Sequence, residues 1–219
     1  MSLSLLFLDE LKGYAKSKVM TVLWFGLPFL SFLIHFLQPN TEGLPISLLV
    51  GLVVSSIGGT LSGIMLSTSI VSEKNRHVYE LFLIRPVKRS SLLLAKFLAV
   101  YLCLVIAIII SITFGVIIDE FTVGLSEDLL RATIESLIIS TASMAITCSI
   151  GIFFGVLVSS VPVAAILSVY LGSQLSSIIL LPTFFMEGLN PVILALILGI
   201  SITFIIMTIN VYLFSRKQF

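Results

Sequence analysis

Charge is scarce in this sequence. Aspartate, glutamate, lysine and arginine make up 11% of its 219 residues, where a soluble globular domain carries about a quarter. No polar stretch is long enough to bury a core of its own, which excludes a soluble catalytic domain within these residues. Histidine is nearly absent too: His35 and His77 stand far apart, so paired-imidazole ligation of a metal or haem has nothing to build on. Cys103 and Cys148 both fall in apolar runs and read as inert packing residues rather than a disulfide or redox pair. No HExxH, GxSxG or Walker phosphate loop occurs, and each of those motifs is the minimum its chemistry needs. No catalytic, cofactor-binding or metal-ligating residue is therefore assigned, and the chain is not expected to be an enzyme.

What the sequence has instead is hydrophobic length. Apolar residues make up 58% of the chain and gather into runs long enough to cross a bilayer as helices. The expected fold is all-α, a polytopic membrane protein of one domain over residues 1–219. Six spans are expected, near 18–37, 45–71, 92–118, 129–159, 163–181 and 191–214. The second and fourth exceed the roughly 20 residues a bilayer requires, so they should tilt, project or bend at an internal glycine. Ser159, Ser160 and Pro162 divide the fourth from the fifth, because proline blocks continuation of a helix; one element kinked there is the alternative.

Basic residues set the expected orientation. Lys12, Lys16 and Lys18 precede the first span, Lys74, Arg76, Arg85, Lys88, Arg89 and Lys96 lie between or beside the second and third, and Arg216 and Lys217 follow the last. Only Arg131 falls on the opposite side, among Glu42, Asp119, Glu120, Glu127, Asp128 and Glu187. The lysine and arginine bias places both termini in the cytoplasm of a protein expected in the cell (plasma) membrane. Residues 1–17 are not expected to be a cleaved signal, because the lysines follow the short apolar run and no small-residue cleavage site comes after it. Leu3, Leu6, Phe7, Leu11 and Tyr14 recur at helical spacing opposite Asp9, Glu10, Lys12 and Lys16, the pattern of an interfacial helix; a plain polar lead-in to the first span is the alternative.

Small residues mark the expected helix contacts. Gly51, Ser55, Gly59, Gly63 and Ser67 recur every four residues in the second span, Ser143, Thr147, Gly151, Gly155 and Ser159 in the fourth, and Ala164, Ser168, Gly172 and Ser176 in the fifth. Such ridges let backbones approach closely; packing is the plain reading, a translocation seam the sharper one. Tyr170, Ser173, Gln174 and Ser177 form a polar group midway along the fifth span. An amide is costly against lipid tails, so Gln174 is expected to face inward, either lining a substrate route or bonding another helix. Asn210 is read as interfacial. Arg131 and Glu135 share a helical face and are expected to pair.

The longest polar interruption is EKNRHVYELFLIRPVKRS, Glu73 to Ser90, within a loop expected over 72–91. Glu73, Lys74, Arg76 and Glu80 interleave with Tyr79, Leu81, Phe82 and Ile84 in a short amphipathic pattern that Arg85 and Pro86 end. Aromatic, aliphatic and charged residues at this density suit docking to a partner, although basic residues are expected there for topology alone.

This loop, followed by LLLAKF, resembles the membrane subunits of ABC transporters of the ABC-2 (type V exporter) class. Glu73-Lys74 match an acidic-basic pair, Glu80-Leu81 a glutamate before a leucine-rich step, Pro86 with Lys88-Arg89 a proline followed by basic residues, and Lys96 a lysine opening the next helix. The amphipathic N-terminal helix, the six spans, the short fourth-to-fifth turn and the basic tail FSRKQF extend the resemblance over the whole chain. It implies a permease that docks a separate ATP-binding subunit, which carries the ATP and magnesium, and that pairs with a second permease copy or paralogue among membrane lipids, with no nucleic-acid partner. Glu73 to Arg89 would be the coupling lever, with apolar contact from Tyr79, Phe82 and Ile84 and charge pairing from Glu80, Arg85 and Lys88. The implied function is export of an amphipathic or lipid-like substrate. The family usually has a glycine shortly after the acidic-basic pair, where this chain has Asn75, Arg76, His77 and Val78. It also implies a short outer re-entrant segment at 182–190, with Phe184, Phe185 and Met186 dipping into the membrane. Absent that resemblance, an ion-coupled secondary carrier or a non-transport scaffold fits the composition; a carrier would be expected to hold ionisable or unwound elements near mid-membrane.

Overall fold

The computed structural model of the chain describes residues 3–37, 46–78, 89–122, 126–185 and 190–216. Among them lie seven helices: α1 (Leu3–Ala15), α2 (Lys18–Leu37), α3 (Ile46–Asn75), α4 (Arg89–Thr122), α5 (Glu127–Leu157), α6 (Val161–Phe185) and α7 (Pro191–Arg216). Five are long and apolar enough to cross a membrane, or six if α1 and α2, bent by 65° at their junction, count as one broken span. By length and composition this is a multi-pass, all-helical membrane protein.

Local chemistry explains where the helices stop. Ser17 starts α2: its hydroxyl accepts from the Met20 amide at 3.2 Å and its carbonyl from the Thr21 amide at 3.1 Å, which satisfies donors that a helix start leaves open. Ser126 does the same for α5, accepting from the Leu129 amide at 3.2 Å, with Glu127 and Asp128 in the first turn at the favourable end of the helix dipole. α5 ends where Val158 turns extended, at φ −94° and ψ 151°. The chain then resumes as a separate helix, α6. Pro162 sits in its first turn, where a missing N–H costs no intrahelical bond. The fourth and fifth spans are thus two helices packed against each other. α6 runs on through Pro182 to Phe185, so the first part of the expected re-entrant segment continues this helix, and residues 186–189 lie outside the described residues.

α3 ends at Asn75, one turn further into the polar loop than the apolar run alone predicts. His77 then adopts a left-handed conformation, φ 55°, with its amide donating to the Lys74 carbonyl at 3.2 Å. This is the turn that glycine makes without steric penalty at a helix end.

α5 is the central element because three of its faces are occupied. Met144, Cys148, Ile152 and Val156 enter one apolar cluster with α2, α3 and α4. Ala142, Ile146, Ile150 and Phe154 enter a second with α6 and α7. The third face carries the small residues and meets α3, the most extensive helix pair in the protein. A Cβ on Gly151 would lie 2.7 Å from the Gly63 carbonyl oxygen and 2.9 Å from its Cα; one on Gly155 would lie 2.9 Å from the Ile70 Cβ. Gly51 abuts the Ser136 hydroxyl, Gly59 would place a Cβ 3.1 Å from the Thr147 hydroxyl, and Gly172 of α6 would place one 3.6 Å from the Thr147 methyl. Ser55 lies on the same row of α3, half-buried. Between helices without a hydrophobic driving force, such close approach supplies the association energy through dispersion.

Polar bonds add to this contact. Ser140 donates to the Gly51 carbonyl at 3.1 Å. Trp24 donates its indole N–H to the Cys103 carbonyl at 3.2 Å, and the Ser31 and Ser111 hydroxyls lie 2.9 Å apart, so both ties hold α2 to α4. Asn210 is fully buried rather than interfacial and donates to the Ser149 carbonyl at 2.9 Å, joining α7 to α5. Cys103 and Cys148 are buried free thiols.

Two substitutions test these points. Gly151→Val should destabilise the detergent-purified chain by about 2–3 kcal/mol through overpacking, whereas Gly13→Ala, with nothing within 4 Å of the added carbon, should be neutral or slightly stabilising; equal thermal midpoints would refute the contact. His77→Gly should stabilise by about 1 kcal/mol by removing the left-handed penalty.

Candidate functional site

Four of the expected coupling residues, Glu73, Lys74, Arg76 and Arg89, fall within the described residues, and Glu73 and Lys74 point in different directions. Glu73 and Lys74 occupy the last turn of α3, and Arg76 follows it, exposed. Tyr79, Glu80, Phe82, Ile84, Arg85, Pro86 and Lys88 lie outside the described residues. Arg89 begins α4.

Glu73 faces the bundle. Its Oε1 accepts from the Lys96 ammonium at 2.6 Å, and the same ammonium meets Oε1 of Glu10 at 2.8 Å. Lys96 is only 2% exposed while Glu10 and Glu73 retain 24% and 25%, so the cation is sealed and the two carboxylates keep access to the outside. Tyr14 lies over this group, its ring centroid 5.8 Å from the ammonium, and its hydroxyl donates to Ser69 Oγ at 3.1 Å, which in turn donates to Glu73 at 3.1 Å. Burial pushes the Glu10 carboxyl above its usual range, against the opposing pull of Lys96. Two negative charges therefore share one positive charge. The cluster joins α1 through Glu10 and Tyr14, α3 through Ser69 and Glu73, and α4 through Lys96. Phe7 and Leu11 continue the contact of α1 with the apolar core.

Lys74 faces the other way. Its ammonium donates to Ser159 Oγ at 3.1 Å and to the Val158 carbonyl at 3.4 Å, and the Asn75 amide donates to the Ser159 carbonyl at 3.1 Å. One residue step along α3, about 100° of helix rotation, thus divides the acidic-basic pair between the α1/α4 side and the turn joining α5 to α6. Sequence reasoning missed both sets of contacts. Glu10, Lys96 and the Ser159 turn were each visible, but the pairs span 23 and about 85 positions, and no local period marks them.

The polar group of α6 is placed on the outside of the chain. Tyr170 is 63% exposed and Ser173 and Gln174 are exposed beside it. Gln174 does not face inward, because Gly172 occupies the inward-facing row against Thr147, and residues two positions apart on a helix cannot share a face. The hydroxyls of Ser173 and Ser177 donate to the carbonyls of Tyr170 and Gln174 in their own helix, at 2.9 and 2.7 Å. The Gln174 amide has no protein partner among the described residues. Nor, among those residues, does an ion pair join Arg131 to Glu135; Arg131 is exposed at the start of α5, where water competes for it. No group of three or more histidine, cysteine, aspartate or glutamate side chains suited to a metal occurs among the described residues.

Compared with known proteins, the chain matches no family model and no curated protein.

Removing the shared cation leaves two partly exposed carboxylates facing each other. Lys96→Met should therefore cost about 2–3 kcal/mol, because water at the carboxylates eases the loss of their buried partner, read as a clear fall in the thermal midpoint in detergent. Lys74→Met, whose partners sit in an exposed turn, should cost much less. Equal losses would mean that the cluster does not hold α1 to the bundle.

Proposed function

We propose that this chain is the membrane-spanning subunit of an ATP-driven exporter of the ABC-2 class, working with a separate ATP-binding subunit. The observation that carries the reading is the division of Glu73 and Lys74 between the two sides of the bundle. The loop from 79 to 88 begins just beyond that branch point and ends at α4, whose Lys96 returns to Glu73. A force applied to this loop by a partner would be delivered to α1 and α4 through buried ion pairs and to the α5–α6 turn through Lys74 and Asn75. Such an arrangement suits a coupling segment, whereas a loop that only set topology would need none of these ties. Tyr79, Phe82 and Ile84 would supply the apolar contact with the partner, and Glu80, Arg85 and Lys88 the charged one.

The orientation follows from the basic residues at this end, which would lie in the cytoplasm with both termini. The ATP-binding subunit would meet the chain there and bring its own ATP and magnesium. The exposed Tyr170, Ser173 and Gln174, with the half-buried Ser177 beside them, support assembly with a second copy or a paralogue: an amide facing lipid without a partner is costly, and a facing subunit would supply one. A substrate route would then run between two α6 helices rather than through one bundle. The sparse polar lining favours amphipathic or lipid-like cargo.

Affinity purification of the tagged chain from its native membrane, followed by mass spectrometry, should recover an ATP-binding cassette subunit. Glu80→Lys should lower the ATPase activity of that reconstituted complex by about tenfold or more through a like-charge or unpaired contact, with the permease still folded. Reproducible absence of any such ATPase from intact, well-extracted protein would favour the ion-coupled carrier or scaffold.

A further inference from the structure

The charged cluster borders a cavity. About 560 Å³ of space opens where α1, the start of α2, α3 and the start of α6 meet. Glu10, Tyr14, Ser17, Thr68, Ser69 and Ser72 give its lining polar groups, and Val19, Met65 and Val161 give it apolar ones, with Met65 one helical turn from Ser69 on the same face of α3. Glu10 and Tyr14 belong to the cluster in which two carboxylates face the single Lys96 ammonium. No basic side chain lines the cavity among the described residues, and Lys18 is exposed between Ser17 and Val19, which do line it. Lys12 and Lys16 are exposed on other faces of α1, and Lys74 is committed to the Ser159 turn. The polar lining offers what an ammonium group requires: a carboxylate, hydroxyl lone pairs and the face of an aromatic ring. Val19, Met65 and Val161 belong to α2, α3 and α6, helices long and apolar enough to cross a membrane or, for α2, to do so together with α1.

We infer that this cavity binds a cationic amphiphile, its ammonium group against Glu10 and Tyr14 and its apolar body along Val19, Met65 and Val161. The volume suits a single headgroup with the first part of its chain, within the usual range for small-molecule sites. The inference deepens the export reading by naming a substrate class, and it rests on that reading for its transport consequence alone; binding itself needs only this chain. Two sources supply the same chemistry, a free amphipathic amine or the amine headgroup of a membrane lipid.

The test is equilibrium binding of tritiated dodecylammonium at neutral pH to the full chain in phosphatidylcholine nanodiscs, with empty nanodiscs subtracted. The expected result is saturable binding that unlabelled dodecylammonium displaces and dodecanol, the neutral isostere, does not. Glu10→Gln should weaken it by about tenfold or more, the loss of a charge-assisted contact. Because Glu10 also pairs with Lys96, a second variant is needed. Val161→Trp fills the cavity from α6 without touching the ion pairs, and should abolish binding while the thermal midpoint stays at the parent value. Equal competition by dodecanol, or parental affinity in a folded Val161→Trp variant, would overturn the site. Nanodiscs of equal parts phosphatidylethanolamine and phosphatidylcholine separate the sources: competition identifies the lipid headgroup, and unchanged binding identifies a free amine. Failure here leaves recovery of an ATPase partner untouched, and absence of that partner leaves this binding untouched.

Discussion

Backbone contact between α3 and α5 is the constraint on which the rest of the structure depends. At Gly63 and Gly151 the two chains are so close that a single added carbon would sit 2.7 Å from a carbonyl oxygen. Helices among lipid tails gain nothing from hiding apolar surface from water, so closeness itself supplies the attraction. It also decides what α5 can be. With its small-residue face against α3, its two remaining faces are turned to opposite apolar clusters, and the helix becomes buried around most of its circumference, as a helix apolar on every side must be. By contrast α7 is mostly turned outward, with Ile193, Ile197, Ile200 and Phe204 exposed, an apolar surface suited to lipid. The outward face of α6, with Gln174, is not.

The second organising feature is electrostatic and sits at the basic end. A sealed ammonium between two carboxylates is poor value for stability alone, because desolvation offsets much of the attraction. What it adds is position: Leu6, Phe7, Leu11 and Tyr14 give α1 its apolar contacts, and Glu10 and Tyr14 tie it to Lys96 of α4 and Ser69 of α3. Two carboxylates thus border the neighbouring cavity against one sealed ammonium, although most charged residues at this end are basic. Net charge, +1 for the chain, conveys none of this, since exposed lysines and a sealed one act at different distances and in different dielectrics.

The helices themselves were legible in the sequence because the apolar runs are long and their ends carry strong signals. Lys18, Ile46, Val161 and Pro191 open helices within two residues of the expected positions. The four-residue rows of glycine and serine were also legible, since helical period alone places them on one face. Four side chains depart from the expected arrangement, for one common reason. Gln174, Asn210 and the Arg131–Glu135 pair were judged by depth and local spacing, whereas partner helices decided their positions: Ser149 of α5 draws Asn210 inward, and Gly172 takes the inward row that Gln174 would have needed. Glu73 and Lys74 were read together as an acidic-basic pair. Helix rotation separates them, and the distant partners that each one finds leave no mark in the local sequence.

The two attachments of the α3 end differ in strength, and that difference has a direction. On one side are short ion pairs about a sealed cation; on the other, hydrogen bonds of 3.1–3.4 Å to an exposed turn. Load entering through the loop would yield first at the weaker joint, so α1, the end of α3 and the start of α4 would move as one body against the α5–α6 turn. Along the α3–α5 contact such motion would have to slide Thr147 and Ile70 past glycines and release the Ser140–Gly51 bond, and packed surfaces shift between discrete arrangements rather than deform continuously. The cavity lies across that same boundary, with Glu10, Tyr14 and Met65 on one body and Val161 on the other. Movement at the weak joint would therefore change the width of the cavity before it changed anything deeper in the bundle. An amphiphile held there, as inferred above, would in turn resist or favour the motion according to the width it fits, and any such coupling would act in both directions.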